Sequence, residues 1–591
     1  MSNQNEDAFV KNLPRIYGLY TGAFVVFVLI LAVLEQVGIP DRIIGYVFMF
    51  MTIAVYAAIG IISRTARVSQ YYVAGRQVPP VFNGMATASD WMSGASFVGM
   101  AGSLYLLGYD GLAFVLGWTG GYVLVAVLLA PYLRKFGAFT VPDFLGSRYD
   151  GNFARVIGII VLMACSITYV TAQIYATGII TSRFTGIQFE VAVFFGLFGI
   201  LVCSMLGGMR GVTWTQVAQY IILIIAYLIP VIWLSTKVTG FPIPQLTYGS
   251  VLDQITTLEA EQGVEKSYVA AFTNYTPFNF FALIFCLMLG TASLPHVLMR
   301  FFTTPSVKAA RLSVGWALLF IFLLYFTAPA YAAFARYEIL SNVVGNSIAS
   351  LPSWVSSWGD IGLVSIDDAN ADGILQFSEF TINRDVVVLA TPEIAGLPYV
   401  IAGLVAAGGL AAALSTADGL LLAIANALSH DIYFKMINPE ASTRLRLIVA
   451  RTVLIFVAIF AAWLASTRPS DILSMVAWAF SIAASGLFAP LVLGVWWKRA
   501  NKQGAIAGML SGFILCCIYL FGTKYGGMAL WFNVPNISAG VFGIPVSFVV
   551  MVVVSLLTEP PSEKIQTMVD NVRIPAGTTM TGTDDSQEIY G

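Results

Sequence analysis

Three oxygens in one apolar run of the sequence have the spacing of a cation site. In "AALSTADG", the carbonyl of Ala412 and the hydroxyls of Ser415 and Thr416 lie at i, i+3 and i+4, and therefore on one face of a helix. Hard monovalent cations bind such oxygens, whereas softer metals prefer thiolates and imidazoles. The alternative is close packing through small residues, with the hydroxyls bonded back to their own helix.

Two carboxylates also lie within apolar runs. Asp418 follows Ser415 by three residues, and Asp90 lies in "MATASDWMSGASFVGMAG". An ionisable group inside a membrane span is costly and marks a functional site by default. Asp418 lies about 60° around a helix from Ser415, so it could face the same cavity. Either carboxylate could bind a second cation or a proton, or could pair only with a polar neighbour.

A further set of oxygens, in "DDANADGILQFSE", has the spacing of a calcium-binding loop. Counted from Asp368, the oxygens take positions 1, 3, 5, 7, 9 and 12, and Gly373 takes position 6. Ile374 would bind Ca²⁺ through its backbone carbonyl. The other five ligands would be the side chains of Asp368, Asn370, Asp372, Gln376 and Glu379. The alternative is a solvated acidic loop with a turn at Asp-Gly. The preceding "SSWGDIGLVSI" has no clear helical period, so we expect a lone loop that acts as a structural clip.

The composition is that of a membrane protein. The chain has 591 residues, of which 58% are hydrophobic and 10% charged, and its mean hydropathy is +0.82. A soluble domain could not bury so much apolar surface, so lipid must be the solvent. The net charge of −1 argues against nucleic acid as a partner. The sequence offers no nucleophile–base set or metal cluster, which argues against an enzyme.

Apolar runs long enough to cross about 30 Å of hydrocarbon recur along the chain. They predict an all-α integral membrane protein with about fourteen transmembrane helices, at approximately 19–38, 42–63, 81–106, 112–133, 153–182, 190–208, 212–236, 278–300, 312–337, 396–429, 445–467, 473–497, 503–523 and 538–557. With the N-terminus inside, most of the 30 Lys and Arg residues fall on the cytoplasmic side, as the positive-inside rule requires. We therefore expect both termini in the cytoplasm and a location in the cell inner (plasma) membrane.

These spans divide the chain into a core and its additions. The predicted parts are a cytoplasmic N-terminus (1–18), two peripheral helices (19–63), a ten-helix core (81–497), two further helices (503–557) and a disordered cytoplasmic tail (558–591). The core carries two external loops, 238–277 and 338–395, and the calcium-type loop 368–379 lies in the second. Calcium is abundant outside cells, where even weak sites fill.

Two core helices contain residues that break a helix. Residues 81–106 are rich in Gly and Ser, and in residues 278–300 Pro295 removes a backbone donor. These helices are the first and the sixth of the ten, so they open two successive groups of five that run in opposite directions. The pattern is typical of a five-plus-five inverted-repeat transporter with its sites near the midplane. The alternative is ordinary kinking, since Gly and Pro are frequent in membrane helices.

Several segments together resemble the sodium:solute symporter family, over roughly residues 65–500. They are "YYVAGRQVPP", "MATASDWMSGASFVGMAG", "TVPDFLGSRYDG", "GGMRGVTWTQVAQ" and "AALSTADGLLLAIANALSHDIY". The details are most similar to the large-subunit branch grouped with cation/acetate symporters, through "GTASLPHVLMRFFTTPS" and "AASGLFAPLVLGVWWKRANKQGAIAGM". Some members of this branch work with a small companion membrane protein, so such a partner is possible here.

The resemblance implies co-transported Na⁺ and a site for it. That site consists of three backbone carbonyls and two hydroxyls, those of Ser89, Met92, Ala412, Ser415 and Thr416. Many members carry an Asp after the Trp-Thr of the fourth segment, on the inward path of the ion. Here Gln216 follows Trp214-Thr215, which leaves the release route open.

The resemblance favours acetate or another short monocarboxylate as the substrate, although sugar, proline and pantothenate carriers belong to the same family. Backbone N–H groups at the helix breaks could bind a carboxylate. The candidate contacts are Ser93, Gly94, Ser96, Tyr169, Gln173, Ser293 and His296, each of which could instead make interhelical hydrogen bonds. Arg300 falls at the inner end of its helix, where it would snorkel, so we expect no arginine as a mid-span counter-ion.

The sequence thus predicts sodium-coupled uptake by alternating access. Sodium would join the first and eighth core helices and so favour the conformation that binds the substrate. A sensor or regulatory membrane subunit built on the same fold is the main alternative, because fold does not dictate function. A channel is a weaker one.

Overall fold

The computed structural model describes residues 3–574, with side chains from residue 9 onward except those of residues 195 and 203. Helices dominate because a backbone in lipid must satisfy its own hydrogen bonds. The helices of the first half are α1 (Asn3–Gln36), α2 (Asp41–Ile62), α3 (Val68–Val73), α4 (Pro80–Trp91), α5 (Met100–Leu107), α6 (Leu112–Leu124), α7 (Ala130–Phe136), α8 (Val141–Arg148), α9 (Asn152–Thr185) and α10 (Phe189–Thr239). A π-helical turn, Ala95–Gly99, precedes α5, and another, Val125–Leu129, joins α6 to α7.

The second half adds further helices and one small sheet. They are α11 (Pro244–Thr247), α12 (Gly249–Glu261), α13 (Pro277–Thr291), α14 (Pro295–Phe302), α15 (Val307–Tyr325), α16 (Ala328–Asn342), α17 (Ser353–Gly359), β1 (Val364–Ile366), β2 (Phe380–Ile382), α18 (Val387–Ile394), α19 (Tyr399–Asn426), α20 (Thr443–Ser466), α21 (Ile472–Ala483), α22 (Ala489–Trp496), α23 (Lys502–Tyr525), α24 (Gly540–Leu557) and α25 (Glu563–Val572). A π-helical segment, Ala427–Ile437, extends α19, and another, Ala484–Phe488, joins α21 to α22. Strands β1 and β2 pair antiparallel, with Ser365 opposite Thr381.

Both predicted helix breaks are present. The first core helix stops at Trp91 and resumes at Ala95, and Met92 leaves the helical conformation with ψ 69°. The sixth core helix stops at Thr291 and resumes at Pro295. The ring of Pro295 fits the first turn of a helix but cannot continue one, because it has no N–H to donate. Each break leaves backbone groups without a helical partner at membrane depth.

The number of membrane spans cannot be read directly from the number of helices. Among residues 3–574, twelve helices are long and apolar enough to cross a membrane. Helix α10 covers two predicted spans and bends at Gly208, whose φ of 53° and ψ of −146° suit glycine. A Cβ at Gly208 would lie 2.5 Å from the Tyr71 ring. Segment 95–136 likewise covers parts of two predicted spans, with a turn at Gly108–Gly111, so the count of fourteen stays a prediction.

Helix α19 occupies the centre of the protein and is almost completely buried. It packs against α2, α9, α10 and α4. Small residues permit this close contact, since a Cβ at Gly408 would lie 2.4 Å from the Cβ of Ala226 on α10. By contrast, most of α1 is exposed, as expected of a helix that faces lipid. Helix α1 begins at Asn3. The described part of the predicted N-terminal segment 1–18 is therefore helical and is continuous with the first membrane span.

The predicted disordered tail, 558–591, contains a helix, so the prediction is wrong for Glu563–Val572. Helix α25 buries Ile565, Val569 and Val572 and packs against α22 and α7. Lys498 adds an ion pair to Asp570 at 2.7 Å. Apolar residues spaced at i, i+4 and i+7 give this short polar segment one buried face. The remainder of the predicted tail, from residue 575, lies outside the described residues.

Candidate cation and substrate site

The break in the first core helix faces the middle of α19. The Ser415 hydroxyl donates to the Ser89 carbonyl at 2.7 Å, and the Thr416 hydroxyl donates to the Asp90 carbonyl at 2.8 Å. Both hydroxyl oxygens also lie near the Ala412 carbonyl, at 3.0 and 3.3 Å. Four of the five oxygens predicted to bind sodium are therefore connected by hydrogen-bonding distances through Ser415 and Ala412.

The fifth predicted ligand, the Met92 carbonyl, belongs to the residue that ends α4. Met92 is buried, and its N–H still donates to the Ala88 carbonyl at 2.7 Å. Among the described contacts, no hydrogen bond joins Met92 to Ser415 or Thr416. The C-terminal carbonyls of α4 carry the negative end of the helix dipole, which favours a cation. A set made only of hydroxyl and carbonyl oxygens suits sodium, whose binding would require both hydroxyls to rotate away from the carbonyls they now contact.

Asp90 is paired with an arginine. Nε of Arg300 donates to Oδ2 of Asp90 at 3.0 Å, and both side chains are fully buried. The guanidinium also donates to the Thr213 hydroxyl at 3.2 Å. The prediction that Arg300 snorkels at a helix end is wrong: α14 is a short buried helix, and the side chain turns inward to α4 and α10. A mid-membrane arginine is therefore present, and Asp90 is its counter-ion.

Gln216 links this ion pair to the predicted sodium site. Its amide nitrogen donates to Oδ1 of Asp90 at 3.2 Å and to the Ser415 carbonyl at 2.8 Å. The amide thus takes part in the network from the position where many relatives carry an Asp. Its Oε1 is buried and has no partner among the described residues. That oxygen is therefore free to accept a hydrogen bond or to contact a cation.

Asp418 faces the N-terminal arm of α10. The side chain is buried, and the Ser204 hydroxyl donates to its Oδ1. The next residue, Gly419, lies against Asp90, because a Cβ there would fall 2.2 Å from Oδ1 of Asp90. Asp418 and Asp90 therefore belong to one buried polar region beneath the predicted sodium site.

The residues predicted to contact substrate divide into two groups. Some already have protein partners: the Gly94 N–H donates to Gln173 Oε1 at 2.8 Å, and the Ser293 hydroxyl donates back to its own helix, to Leu289, at 2.7 Å. The Ser96 hydroxyl lies 2.8 Å from the Tyr325 hydroxyl. The hydrogen bond of Ser293 is therefore within its own helix and is not the interhelical bond expected as its alternative role.

The second group keeps unused polar atoms. Both ring nitrogens of His296 are buried and have no partner among the described residues, and Nε2 of Gln173 is in the same situation. The His296 ring lies 5.5 Å from the Tyr169 ring. Ser93 lies in the break itself, and its hydroxyl accepts a long hydrogen bond of 3.4 Å from the Ser96 N–H. The unused polar atoms of this group are therefore those of His296 and Gln173. Tyr169 and Ser93 lie beside them and already interact with each other.

Sequence reasoning missed an aromatic cluster around Phe480. Ring centroids of Trp91, Trp118 and Tyr169 lie 5.7, 5.9 and 5.7 Å from that of Phe480. Tyr122 packs against Trp91 at 6.1 Å. Nε1 of Trp118 and the Tyr122 hydroxyl are buried without a partner among the described residues. Trp118, Tyr122 and Phe480 lie in continuous apolar runs, where no sequence pattern distinguishes them from ordinary core residues.

The calcium-type loop connects β1 to β2. Asp368 accepts a hydrogen bond from the Gly373 N–H at 3.2 Å, and Asp372 accepts one from the Ile374 N–H at 2.8 Å, which holds the pKa of Asp372 below its usual value. Gln376 donates to Asp372 at 2.8 Å. A strand enters the loop instead of a helix, in agreement with the prediction of a lone loop.

The remaining predicted calcium ligands lie in the same loop. Asn370 donates to Gln376 Oε1 at 3.0 Å, and the buried Glu379 accepts from the Gln376 N–H at 3.1 Å. Oδ1 of Asp368 is buried without a partner among the described residues. The side-chain oxygens therefore suit the hard-cation chemistry of Ca²⁺.

Replacing Arg300 with Gln should destabilise the protein by about 3–5 kcal/mol, because Asp90 then remains buried without its cation. The double variant Arg300→Gln/Asp90→Asn should recover most of this loss, since it leaves no unpaired charge. Apparent melting temperatures of the purified protein in detergent measure both effects. Arg336→Gln, which breaks the buried pair with Glu259, is the matched control and should gain nothing from Asp90→Asn. A double variant no more stable than Arg300→Gln alone would contradict the assignment.

Comparison with known proteins agrees with this architecture. Residues 71–350 and 361–512 match the sodium:solute symporter family. The chain is 43% identical to an uncharacterized symporter of Cupriavidus necator, over 96% of this chain and 99% of the relative. It is 28% identical to a monocarboxylic acid transporter of Corynebacterium glutamicum, over 90% and 94% of the two chains.

A solved structure shares the fold. It is a Na⁺-coupled sialic acid symporter in a substrate-bound, outward-open state, with a TM-score of 0.69 and 19% identity, and the match covers 88% of this chain and 98% of that one. The family match and the shared fold confirm the inverted-repeat architecture and point to transport, not to enzymatic chemistry. The chain is a multi-pass membrane protein and a sodium-coupled symporter that belongs to the sodium:solute symporter family.

Proposed function

We propose that the protein takes up a short monocarboxylate, such as acetate, together with sodium by alternating access. The observation that carries this proposal is the set of unpaired donors buried in and beside the aromatic cluster around Phe480, which reaches His296 through Tyr169. They are the imidazole of His296, the Tyr122 hydroxyl and the indole N–H of Trp118. A carboxylate has two oxygens that accept several hydrogen bonds, so it can satisfy such a set. The monocarboxylic acid transporter of Corynebacterium glutamicum supports the same substrate class.

The walls of this region favour a small substrate with one charge. Aromatic rings surround Phe480 at 5.7 to 5.9 Å between centroids, which suits a short apolar tail. An amino acid would bring an additional positive charge, and the nearby carboxylates already have partners, Arg300 for Asp90 and Ser204 for Asp418. A sugar would need a hydrogen-bond partner for each of its many hydroxyls, and rings supply few.

Charge balance explains how sodium and substrate would help each other. Asp90 and Arg300 neutralise one another, so either ligand alone would add a net charge to a buried region. Sodium at Ser415 and Thr416 and a carboxylate near His296 would compensate each other. Two opposite unit charges held about 8 Å apart at an effective dielectric constant of about 20 would attract each other by about 2 kcal/mol. Inward movement of sodium adds about 2.3 kcal/mol per 100 mV of membrane potential. Asp418, Asp90 and Gln216 are the candidates for a second cation or for coupling.

The double variant Ser415→Ala/Thr416→Ala should reduce sodium-driven acetate uptake at least about tenfold, which corresponds to about 1.4 kcal/mol of lost sodium binding. Uptake of labelled acetate into proteoliposomes, with an inward sodium or potassium gradient, measures the sodium-dependent part. The matched control is Thr171→Ala/Thr177→Ala on α9, whose hydroxyls donate to carbonyls of their own helix. Undiminished uptake by the Ser415/Thr416 variant would contradict the site.

The same assay tests the substrate class and the alternative function. Acetate, propionate, lactate and pyruvate should be taken up, whereas proline and glucose should not. If proline or glucose is taken up with sodium instead, the proposed substrate class is wrong, but the proposed sodium site is not affected. If no solute of the panel enters with sodium, the sensor or regulatory subunit becomes the better account.

We also propose that the loop 368–379 binds Ca²⁺ as a structural clip. Asp368, Asn370, Asp372, Gln376 and Glu379 would contribute side-chain oxygens, and Ile374 its carbonyl. The buried, unpartnered Oδ1 of Asp368 supports this fit. The ion would fix the turn between β1 and β2 by binding the three carboxylates of the loop at one point.

Calcium should therefore raise the melting temperature of the wild-type protein. At about 1 mM Ca²⁺ and a dissociation constant of about 10⁻⁴ M, the expected stabilisation is about 1.4 kcal/mol. The variant Asp368→Ala/Glu379→Ala should lose this response, while Asp360→Ala, an exposed acid outside the loop, should keep it. The melting temperatures are measured in the presence of calcium, magnesium or a chelator. A calcium response of the double variant equal to that of the wild type would contradict Ca²⁺ binding by this loop.

A further inference from the structure

A segment that precedes and includes α18 closes over the outer half of the first broken core helix. We call residues 383–394 the lid segment. A Cβ at Gly102 of α5 would lie only 1.8 Å from the carbonyl oxygen of Arg384, so the two backbones are in direct contact. The lid segment also packs against the π-helical turn before α5. On the side predicted to be external, the lid segment therefore covers this part of the first core helix.

One carboxylate is trapped beneath this closed segment. Asp385 is fully buried, and its Oδ1 has no partner among the described residues. Its Oδ2 accepts one long hydrogen bond of 3.4 Å from the Ile472 N–H. An ionised carboxylate in such surroundings is unfavourable, because burial removes its water and little replaces it.

The neighbouring charges relieve Asp385 only in part, because attraction to Arg384 is weaker than the effects of burial and of Asp471. Arg384, the adjacent residue, points to Asp471 at 3.6 Å. Asp471, at the start of α21, repels a negative charge on Asp385, and Tyr175 of α9 is its other titratable neighbour. The outer half of the broken helix presents Gly99, which carries no charge; a Cβ there would lie 3.4 Å from Oδ1 of Asp385. Burial, and then repulsion from Asp471, raises the pKa of Asp385 to about 7.

We propose that Asp385 is a proton-operated lock on the lid segment, which stays closed while this carboxyl group is protonated and is released when it ionises. The proposal adds an external control to the alternating access of the proposed function. It depends on the predicted orientation but not on the substrate. Release would expose the carboxylate to water and separate Arg384 from Gly102.

A cavity lies beside the lock. A cavity of about 490 Å³ opens on the same side of the protein, and Tyr175, Ile179 and Arg468 are among its lining residues. Tyr175 is also the α9 neighbour of Asp385. Tyr175 therefore lines the cavity and also lies close enough to Asp385 for their charges to interact.

The direction of the pH effect follows from linkage. Asp385 binds its proton more tightly when buried, with a pKa of about 7, than an exposed aspartate, whose pKa is about 3.9. Protonation therefore favours the closed lid. This contribution is complete below about pH 4 and is lost progressively as the pH rises to about 7. Above that, both states are ionised and the balance no longer changes.

Hydrogen exchange tests the lock on the intact chain without sodium or substrate. Protection factors of the α18 amides, which already correct for the intrinsic pH dependence of exchange, are measured from pH 5 to pH 8. In the wild-type protein they should fall by about tenfold per pH unit between pH 5 and pH 7 and then level off. Helix α24 is the internal reference and should not respond.

Two variants make the result specific. Asp385→Asn, which cannot ionise, should keep α18 protected at every pH. Asp471→Asn, which removes the repulsion and can still cap α21, should shift the fall in protection to lower pH. Retained protection of α24 shows that each variant is folded. A flat wild-type profile, or the same slope in Asp385→Asn, would overturn the lock, and neither result would bear on monocarboxylate transport.

Discussion

The structure depends on how an interrupted helix is satisfied in a place where water is absent. At the end of α4, backbone carbonyls lose their helical donors, and the hydroxyls of Ser415 and Thr416 on α19 replace them at 2.7 and 2.8 Å. In lipid such groups cannot remain unpaired without a large penalty. We propose that the same oxygens bind sodium instead. One region would then have two satisfied forms, one held by hydrogen bonds and one by sodium, which is what a coupled transporter requires.

The buried ion pair gives this arrangement its electrostatic setting. Asp90 lies directly at the break, and Arg300 comes from the second broken helix, so their contact at 3.0 Å joins the two breaks. Gln216 ties the pair to the Ser415 carbonyl. Because the pair is neutral, a bound cation and a bound anion are each more favourable in the presence of the other. This network links both broken helices to α10 and α19. Binding of the two ligands can therefore be coupled to the arrangement of these helices.

Much of this could be predicted from sequence, and the failures have physical causes. The hydroxyls of Ser415 and Thr416 were found because helix periodicity fixes their common face, and the breaks because Pro295 lacks an N–H. The position of Arg300 at the end of a predicted span indicates a side chain that reaches the membrane surface. The side chain instead points inward, because its partners Asp90 and Thr213 lie on α4 and α10. Phe480 and Trp118 were missed because an aromatic residue in an apolar run carries no local signal. The burial of Asp385 could not be predicted, because it depends on the tertiary contact between the lid segment and Gly102.

The most direct test of the account is the mutual dependence of the two ligands at equilibrium. Acetate binding to the purified protein is measured at increasing sodium concentration, and sodium binding at increasing acetate concentration. The account predicts that each ligand strengthens the other by the same factor, within the range of about 5- to 150-fold typical of such coupling. Acetate affinity that does not change with sodium would contradict it.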